Sequence, residues 1–347
     1  MPRIAGVSIA VPPNVLEQSE ARARVLKMFG PIAERLAPVF DNAKIDRRHF
    51  AAEIEWFEVP HSFTETNDRY IAETLVLAER VVCDLAEQCG ISTTDFDAIF
   101  FVSTTGLSTP SIDARLFNRI PLNPHIKRIP IWGLGCAAGV GGIARAFDYV
   151  KAFPRERALV VSVELCSFAF QLSDRSKSNV IASALFGDGA AACLVVGDEV
   201  EVAGPRVLGS LSTTYRDTLD VMGWRISSEG FRIVLSRDIP SIVTSLVAEN
   251  IQELLAKHKL DLSQITHFIA HPGGVKVIEA YEQALAPSPH AMRHSYDVLR
   301  ANGNMSSATV LFILKRFLEE NHPGSGEYGI ITALGPGFSS ELVLVQW

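Results

Sequence analysis

FDAIFFVS, residues 96–103, and ITHFIAH, residues 265–271, are the two nearly continuous apolar stretches that decide the fold. Runs of this kind are typical of strands that are buried on both faces of a sheet. Each stretch follows a segment with helical periodicity, Asp68 to Gln88 in the first case and Ser241 to Lys259 in the second. The same helix–strand order therefore occurs twice in the chain.

A shift of 168 positions indicates that this repetition is a duplication. The shift superposes Ser103 on His271 and Cys136 on Asn304, so a spacing of 33 residues recurs in the two halves. A helix and two further strands are predicted after both Cys136 and Asn304, with a slip of about two residues near the ends. The identity between the halves is weak, and the repeated spacing is what favours a common origin.

The duplication predicts an α/β architecture of two halves, which we divide as residues 1–204 and 205–347. Sheets from the two halves are expected to share a central layer of helices. Reactive residues from both halves would then meet where the halves join, at helix starts and strand ends.

Composition limits the functions that are open to the chain. The 347 residues carry a formal net charge of −7 and no long basic run, which argues against a nucleic-acid partner. The five cysteines show no paired metal spacing and no disulfide framework, so we expect a reducing cytoplasm and no metal site. No apolar stretch approaches the roughly 20 residues that span a bilayer.

Cys136 is the first candidate for a reactive group. It lies in IPIWGLGCAAGVGG, residues 129–142, where small residues after the cysteine open a helix. A cysteine at a helix N-terminus meets the positive end of the helix dipole, which predicts a lowered pKa for its thiol. The alternative is a buried structural cysteine, which is the commoner case for a cysteine considered alone.

His271 and Asn304 strengthen this candidate. His271 ends the second buried strand and precedes Pro272-Gly273-Gly274, so we expect it at the sheet edge where open α/β sheets bind ligands. Asn304 lies where a helix should begin, and a role as helix N-cap is the alternative for it. The duplication, however, makes Asn304 equivalent to Cys136, and a neutral amide at that point would stabilise an enolate or oxyanion.

A Cys–His–Asn set serves two reaction classes. In a thiol hydrolase the asparagine orients the histidine, and water resolves the acyl enzyme. In a condensing enzyme the histidine and the asparagine both face a thioester carbonyl. Short apolar stretches and glycine turns around the three residues favour a dry pocket and a carbon nucleophile, although the spacing leaves both classes open.

Five blocks carry a resemblance to a known family: GLGCAAG, SALFGDGAAACLVVG, HPGG, GNMSSATVLFIL and LGPGF. In their order and spacing they resemble the chalcone/stilbene synthase family, the type III polyketide synthases. WGLGC and SRDIPSIV are similar to the bacterial branch, as in alkylpyrone and alkylresorcinol synthases. The resemblance implies a thiolase-type five-layer αβαβα fold and no cofactor, since CoA thioesters are the substrates.

The resemblance also implies a mechanism. A starter acyl-CoA acylates Cys136, and malonyl-CoA loses carbon dioxide to give an enolate that His271 and Asn304 hold. The enolate attacks the acyl thioester, and the extended chain returns to the cysteine for further rounds. Cyclisation to an α-pyrone or a phenolic ring ends the sequence.

The residues expected to bind the substrate follow from the same resemblance. Phe186 matches the gatekeeping phenylalanine between the CoA tunnel and the cavity, and Ile233 stands at the second gatekeeping position. Trp224 falls where plant members have a glycine that lines the cavity. Cys166 and Ala169 fall on the segment that carries the cavity threonines of those enzymes. These departures argue against an aromatic starter and favour an aliphatic fatty acyl starter.

Only some of the family's basic CoA-binding positions are matched by basic residues in this sequence. Arg35 fits one basic position, and Lys276 is a second candidate. Gly273 and Gly274, after the histidine, are expected beside the pantetheine arm. Three further basic residues are also candidates: Lys44, Arg47 and Arg48.

The resemblance implies a homodimer. The loop Thr104 to Ser111 matches the family segment that reaches across the dimer, with Thr109 in place of the methionine of plant members. The remaining partners expected are acyl-CoA and malonyl-CoA.

Two rival functions stay open. An initiating 3-ketoacyl synthase of fatty-acid synthesis shares the fold and the Cys–His–Asn set, but its histidine motif usually continues with Gln-Ala-Asn and not Pro-Gly-Gly. A catalytically silent scaffold with the thiolase fold is the alternative from another class. The presence of all three reactive residues argues against a silent scaffold.

Overall fold

The computed structural model describes residues 1–236, 238–288 and 290–347, so Arg237 of the SRDIPSIV stretch lies outside the described residues. The strands are β1 (Arg3–Ala10), β2 (Asn14–Glu17), β3 (Arg47–Phe50), β4 (Ala98–Val102), β5 (Lys127–Ile131), β6 (Arg157–Leu165), β7 (Asp188–Val196), β8 (Arg206–Thr214), β9 (Met222–Ser227), β10 (Gly230–Leu235), β11 (Ile265–Ala270), β12 (Tyr328–Gly335) and β13 (Ser339–Gln346). The helices are α1 (Gln18–Phe29), α2 (Pro31–Leu36), α3 (Pro38–Asn42), α4 (Phe63–Cys89), α5 (Ile112–Phe117), α6 (Ala138–Ala152), α7 (Lys177–Leu185), α8 (Ile239–Lys257), α9 (Val275–Leu285), α10 (Arg293–Asn302) and α11 (Ala308–Glu320).

The four segments that predicted the duplication correspond to α4, β4, α8 and β11. Helix α4 begins before its predicted start because Ser62 caps it, accepting a hydrogen bond from the Glu65 backbone N–H at 3.2 Å. It ends as expected at Gly90, which adopts a left-handed conformation. None of the described helices is long and apolar enough to cross a lipid bilayer.

The sheet shows the duplication in its strand order, β11-β12-β13-β8-β1-β7-β6-β4-β5. In the first half β4 pairs with β6 in parallel, and β6, β7 and β1 follow as antiparallel neighbours. In the second half β11, β12, β13 and β8 repeat this pattern. A single pair, Arg3 with Arg206, joins the two half-sheets.

The five layers pack around three hydrophobic cores, and the middle core lies on both sides of the central helical layer. The first core packs α4 on the outer face of the first half-sheet, and the third packs α8 and α9 on the outer face of the second. The middle core unites both half-sheets through α6 and α11. Strand β4 serves two cores at once, since Ile99 and Phe101 face outward while Ala98 and Phe100 face inward. The predicted αβαβα arrangement of two duplicated halves is confirmed.

Helices α6 and α11 touch at their backbones in the central layer. A Cβ atom added at Gly139 would lie 2.2 Å from the Ser307 carbonyl oxygen, so only glycine permits this approach. The close approach brings the N-terminal ends of α6 and α11 together, and with them the segments that carry Cys136 and Asn304.

The slip between the halves is larger near the chain ends than the two residues predicted. Strands β12 and β13 are separated only by residues 336–338, whereas residues 166–187 separate β6 from β7. This extra segment carries α7 and ends beside Phe186, so the insertion supplies one wall of the site.

Candidate active site

Cys136 lies in a single 3-10 turn, Gly135–Ala137, that leads directly into α6. Gly135 has a φ of +49°, and a Cβ atom there would lie 2.6 Å from Pro336 Cδ. The turn therefore packs tightly against the β12–β13 connection, which fixes the direction of the cysteine side chain. The Cys136 thiol is partly accessible and donates to Ser306 Oγ at 3.6 Å.

The lowered thiol pKa predicted from the helix end is wrong for this environment. Burial raises the pKa of Cys136 to about 12, and the nearby Glu164 carboxylate adds to the shift, while the hydrogen bonds of the thiol with Ser306 and Asn304 oppose it. A helix end one turn away does not offset the loss of water around the sulfur. The thiolate needs a neighbouring proton acceptor.

His271 can serve as that acceptor. It directly follows β11, and its backbone N–H donates to the Thr332 carbonyl at 2.9 Å. Its imidazole is buried, and neither ring nitrogen has a hydrogen-bond partner among the described residues. Burial lowers the pKa of His271 to about 3, so the imidazole is neutral at neutral pH. Unpartnered buried ring nitrogens are free to contact a substrate.

Asn304 is not the N-cap of the following helix, because α11 begins only at Ala308 and Ser307 takes the cap position. Its side-chain oxygen instead accepts from the Ser306 backbone N–H at 2.8 Å. Its Nδ2 donates to the Gly273 carbonyl at 2.9 Å, which leaves a second N–H on the same nitrogen. The capping alternative is therefore excluded.

Behind Cys136 lies a buried polar network that the sequence analysis did not identify. Ser306 Oγ donates to Glu164 at 3.4 Å, and Ser307 Oγ donates to the same carboxylate at 2.5 Å. The Thr104 backbone N–H donates to the other oxygen of Glu164 at 2.9 Å. Burial raises the pKa of Glu164 despite these bonds. The only sequence signal was Glu164 itself, a charged residue near the end of the mostly apolar strand β6.

Cys136, His271 and Asn304 line one cavity of about 590 Å³. In the sequence His271 lies 33 residues and Cys136 lies 168 residues before Asn304, and the structure brings all three to one cavity. Most of the other lining side chains are apolar, and they include Leu185, Val277 and Leu334. A cavity of this size and composition is typical of small-molecule sites.

Phe186, Ile233 and Trp224, named from the resemblance, all line this cavity. Ile233 and Trp224 are directly opposite each other in the β9–β10 hairpin, which covers the cavity from one side. Phe186 ends α7 and forms an isolated parallel bridge with Asn304. The bridge thus ties Phe186, which shapes the cavity, to the reactive residue Asn304.

A second, narrower cavity of about 60 Å³ lies behind Phe186 and Ile233, which line both spaces. Cys166 lines this second cavity and not the one at Cys136. Ala169 is buried and lines neither cavity, so it does not take the cavity-lining place expected for it. The reason is the short helical turn Cys166–Ala169, which directs Ala169 into the surrounding core.

The expected CoA contacts divide into two groups. Gly273, Gly274 and Lys276 line the mouth of the Cys136 cavity, together with Lys177, which the sequence analysis missed. Lys177 begins α7, and its position could be inferred from the sequence only by knowing where that helix begins. Arg35 is exposed on α2 and does not line the cavity.

The additional basic candidates do not line the Cys136 cavity either. Arg48 is fully buried beneath Phe186 and cannot reach a solvated phosphate. Lys44 and Arg47 are both outside the cavity lining.

Thr109 is exposed and lies on a loop that is fixed to α4. Asn67 donates to the Leu107 carbonyl and accepts from the Leu107 backbone N–H, each at 2.8 Å. Thr109 does not line the cavity of its own chain. No group of three His, Cys, Asp or Glu residues in the described part of the chain is arranged to hold a metal ion.

The five-layer fold and this cavity define an acyl-transferring enzyme of the thiolase type. The family described as "Chalcone and stilbene synthases, N-terminal domain" matches residues 4–199, and the corresponding C-terminal domain matches residues 210–347. The chain belongs to the chalcone and stilbene synthase family and is a type III polyketide synthase. The predicted family is confirmed, and the match decides against an initiating 3-ketoacyl synthase.

Individual relatives agree with this assignment. A putative chalcone synthase of Bacillus subtilis is 46% identical over 325 residues, which cover 90% of this chain and 89% of the relative. A 1,3,6,8-tetrahydroxynaphthalene synthase of Streptomyces peucetius is 36% identical over 350 residues, covering 99% and 93%. The crystal structure of 1,3,6,8-tetrahydroxynaphthalene synthase from Streptomyces coelicolor superposes with a TM-score of 0.95 at 30% identity, covering 99% of both chains.

The opposed pKa shifts of Cys136 and His271 lead to a pH prediction. Burial opposes a lone thiolate and a lone imidazolium, but a transfer of the proton from Cys136 to His271 creates a pair with no net charge. In His271→Ala no imidazolium forms to compensate the burial of the thiolate. We expect the pH profile of Cys136 alkylation by iodoacetamide to move upward by at least about one unit, a tenfold slower reaction at pH 7.

Mass spectrometry of the labelled protein measures this rate, and Cys136→Ser identifies the labelled site. His322→Ala, which removes an exposed histidine, should leave the profile unchanged. An unaltered profile in His271→Ala would show that the histidine takes no part in forming the thiolate.

Proposed function

We propose that this enzyme condenses malonyl-CoA onto an aliphatic acyl-CoA starter and closes the product to an α-pyrone or an alkylresorcinol-type ring. The observation that carries the proposal is the arrangement of Cys136, His271 and Asn304 around one largely apolar cavity. The proposal requires no metal or organic cofactor, because CoA thioesters supply both the acyl groups and the carbon nucleophile.

The first step loads the starter. The Cys136 thiolate attacks the acyl-CoA carbonyl after its proton has moved to His271. The C–S bond to CoA breaks, and CoA leaves as a thiol that takes up the proton. The acyl group is then held as a thioester on Cys136.

The second step makes the new carbon–carbon bond. Malonyl-CoA loses carbon dioxide, and the electron pair of the broken bond becomes an enolate. The second N–H of Asn304 and the N–H of neutral His271 donate to the enolate oxygen, and the bond to the Gly273 carbonyl already holds the Asn304 amide before charge develops. The enolate carbon attacks the Cys136 thioester and releases the thiolate, which receives the extended chain in the next round.

The walls of the two cavities support an aliphatic starter. Trp224 occupies space within the Cys136 cavity, and the second cavity behind Ile233 is lined by residues such as Val25, Met28 and Phe57. A flexible alkyl chain passes such a constriction more readily than a rigid aromatic ring. Burial of each methylene stabilises the complex by about 0.8 kcal/mol.

The relatives named as 1,3,6,8-tetrahydroxynaphthalene synthases raise a second possibility for the product. Their similarity favours a polyhydroxylated aromatic product of that kind. Incubation with malonyl-CoA alone distinguishes the two, since the aliphatic proposal requires acyl-CoA for the main product.

Half-reactions test the mechanism. In Cys136→Ala we expect product formation to be lost while carbon dioxide release from malonyl-CoA continues, because the enolate-binding donors are intact. In Asn304→Ala we expect loading of Cys136 to continue while carbon dioxide release falls by roughly 10²- to 10³-fold. Radiolabelled malonyl-CoA and intact-protein mass spectrometry measure the two half-reactions.

A wild type that releases no carbon dioxide from malonyl-CoA and does not react with acyl-CoA would be a silent scaffold. Free acid formed from acyl-CoA alone, without consumption of malonyl-CoA, would instead identify a thioesterase.

A substitution in the wall between the two cavities tests which acyl-CoA starter the enzyme prefers. In Ile233→Ala we expect the preference among saturated acyl-CoAs to shift toward longer chains, because the variant joins the second cavity to the first. The preference is measured as kcat/KM across a graded acyl-CoA series. Ile226→Ala, on the exposed side of the same hairpin, is the matched control. Failure of wild type to incorporate any acyl-CoA would refute the aliphatic starter.

The outer edge of the first half-sheet supports the proposed homodimer. Strand β5 ends the sheet, and its outer edge has no strand partner within the described ranges. The apolar side chains of Leu107, Phe117 and Trp132 are exposed near this edge. Trp132 Nε1 donates to the Gly106 carbonyl at 3.1 Å, which ties the patch to the Thr109 loop. Exposed apolar patches of this kind mark protein contacts.

Light scattering tests the dimer. We expect wild type to have twice the mass of one chain and Trp132→Lys to be monomeric, because the new charge would be buried at the contact. Leu219→Lys changes a more exposed apolar residue elsewhere and should remain dimeric. A monomeric wild type would refute the homodimer.

The five cysteines are all free, which suits the cytoplasm that we propose as the compartment of the enzyme.

A further inference from the structure

Arg48 is a fully buried cation that the mechanism above does not use. It lies on β3, has no exposed surface, and lines the second cavity. Its Nη1 donates to the Ser183 carbonyl at 2.6 Å and to the Phe186 carbonyl at 3.0 Å. Its Nε and Nη2 have no hydrogen-bond partner among the described residues.

Stability alone does not account for such a residue. Burial of a guanidinium costs several kcal/mol, and an apolar side chain of similar volume is often at least as stabilising. Burial lowers the pKa of Arg48 to about 10, although attraction to Asp188 opposes the shift, and the side chain remains charged at neutral pH. The position of the charge therefore requires a functional explanation.

The stem of Arg48 passes between two glycines that adjoin the site. A Cβ atom added at Gly303 would lie 2.7 Å from Arg48 Cγ, and one added at Gly187 would lie 3.3 Å from Arg48 Cβ. Gly303 immediately precedes Asn304, and Gly187 immediately follows Phe186. The arginine thus packs on the backbone of both site residues at once.

The same two site residues are joined by backbone hydrogen bonds. The Asn304 N–H donates to the Leu185 carbonyl at 2.9 Å, and the Gly187 N–H donates to the Asn304 carbonyl at 3.0 Å. The Phe186 carbonyl, between these two bonds, is the one that Arg48 holds. A shift of the Phe186 segment would therefore carry the Asn304 backbone with it.

We propose that Arg48 is a positioning residue, which holds the last turn of α7 and the Phe186 carbonyl and thereby sets the Asn304 amide against the Cys136 cavity. The inference rests on the proposed function and concerns its enolate-forming step. Cys136 lies on a different segment, before α6, and has no direct bond to Arg48. Loss of Arg48 should therefore affect the enolate step more than the loading step.

The test compares the two half-reactions in Arg48→Met. We expect loading of Cys136 from acyl-CoA to stay within about threefold of wild type, while carbon dioxide release from malonyl-CoA falls roughly 10- to 100-fold, because a displacement of about 1 Å at a reacting group has effects of this size. Arg80→Met, at an exposed arginine of α4, should change neither rate.

Arg48→Lys supplies the rescue. Both hydrogen bonds of Arg48 come from the single nitrogen Nη1, so one ammonium group can replace it. We expect this variant to fold and to recover the ratio of carbon dioxide release to loading to within about threefold of wild type. It also carries the test if Arg48→Met does not fold.

Three results would overturn the inference. They are an unchanged ratio in folded Arg48→Met, an equal loss of both half-reactions, and a folded Arg48→Lys that loses the enolate step. A wild type that neither loads nor decarboxylates would refute the proposed function and this inference together. An active wild type with an unaffected Arg48→Met refutes the inference alone.

Discussion

The site depends on the contact between α6 and α11 in the central layer. At Gly139 the two helices approach so closely that a single methyl group would meet the Ser307 carbonyl at 2.2 Å. Because the helices come from different halves, this contact brings Cys136 to the same wall as Asn304. The half-sheets on either side hold the contact in place, since both pack on α6 and α11 through one core. A shift between the halves would separate the nucleophile from the amide.

Exclusion of water governs the chemistry at this wall. Burial raises the pKa of Cys136 and lowers that of His271, so neither group carries charge by itself. The same exclusion strengthens the fixed donors that would meet an enolate. Buried hydrogen bonds hold the Asn304 segment in place. Arg48 donates to the Phe186 carbonyl, and Leu185 and Gly187, on either side of Phe186, are hydrogen-bonded to the Asn304 backbone. A largely apolar cavity is thus backed by buried hydrogen bonds.

Much of the fold could be predicted from the sequence. Continuous apolar runs identified β4 and β11, and helical periodicity identified α4 and α8, because these signals depend only on local spacing. The reactive residues could be named from their places at strand and helix ends. The inserted segment before β7 was not recognised, because no periodicity marks a short turn and a nine-residue helix. Arg35 and Ala169 do not line the Cys136 cavity, since a family position does not fix the direction of a side chain.

Sequence patterns were enough to identify a duplicated α/β protein with a cysteine, a histidine and an asparagine at matching points of its halves. Only the tertiary structure decided the protonation of Cys136, the second cavity behind Ile233, and the support that Arg48 gives to Phe186. The physical reason is that burial and side-chain contacts join residues far apart in the chain. Local patterns carry the periodicity of an element but not the environment that the folded chain builds around it.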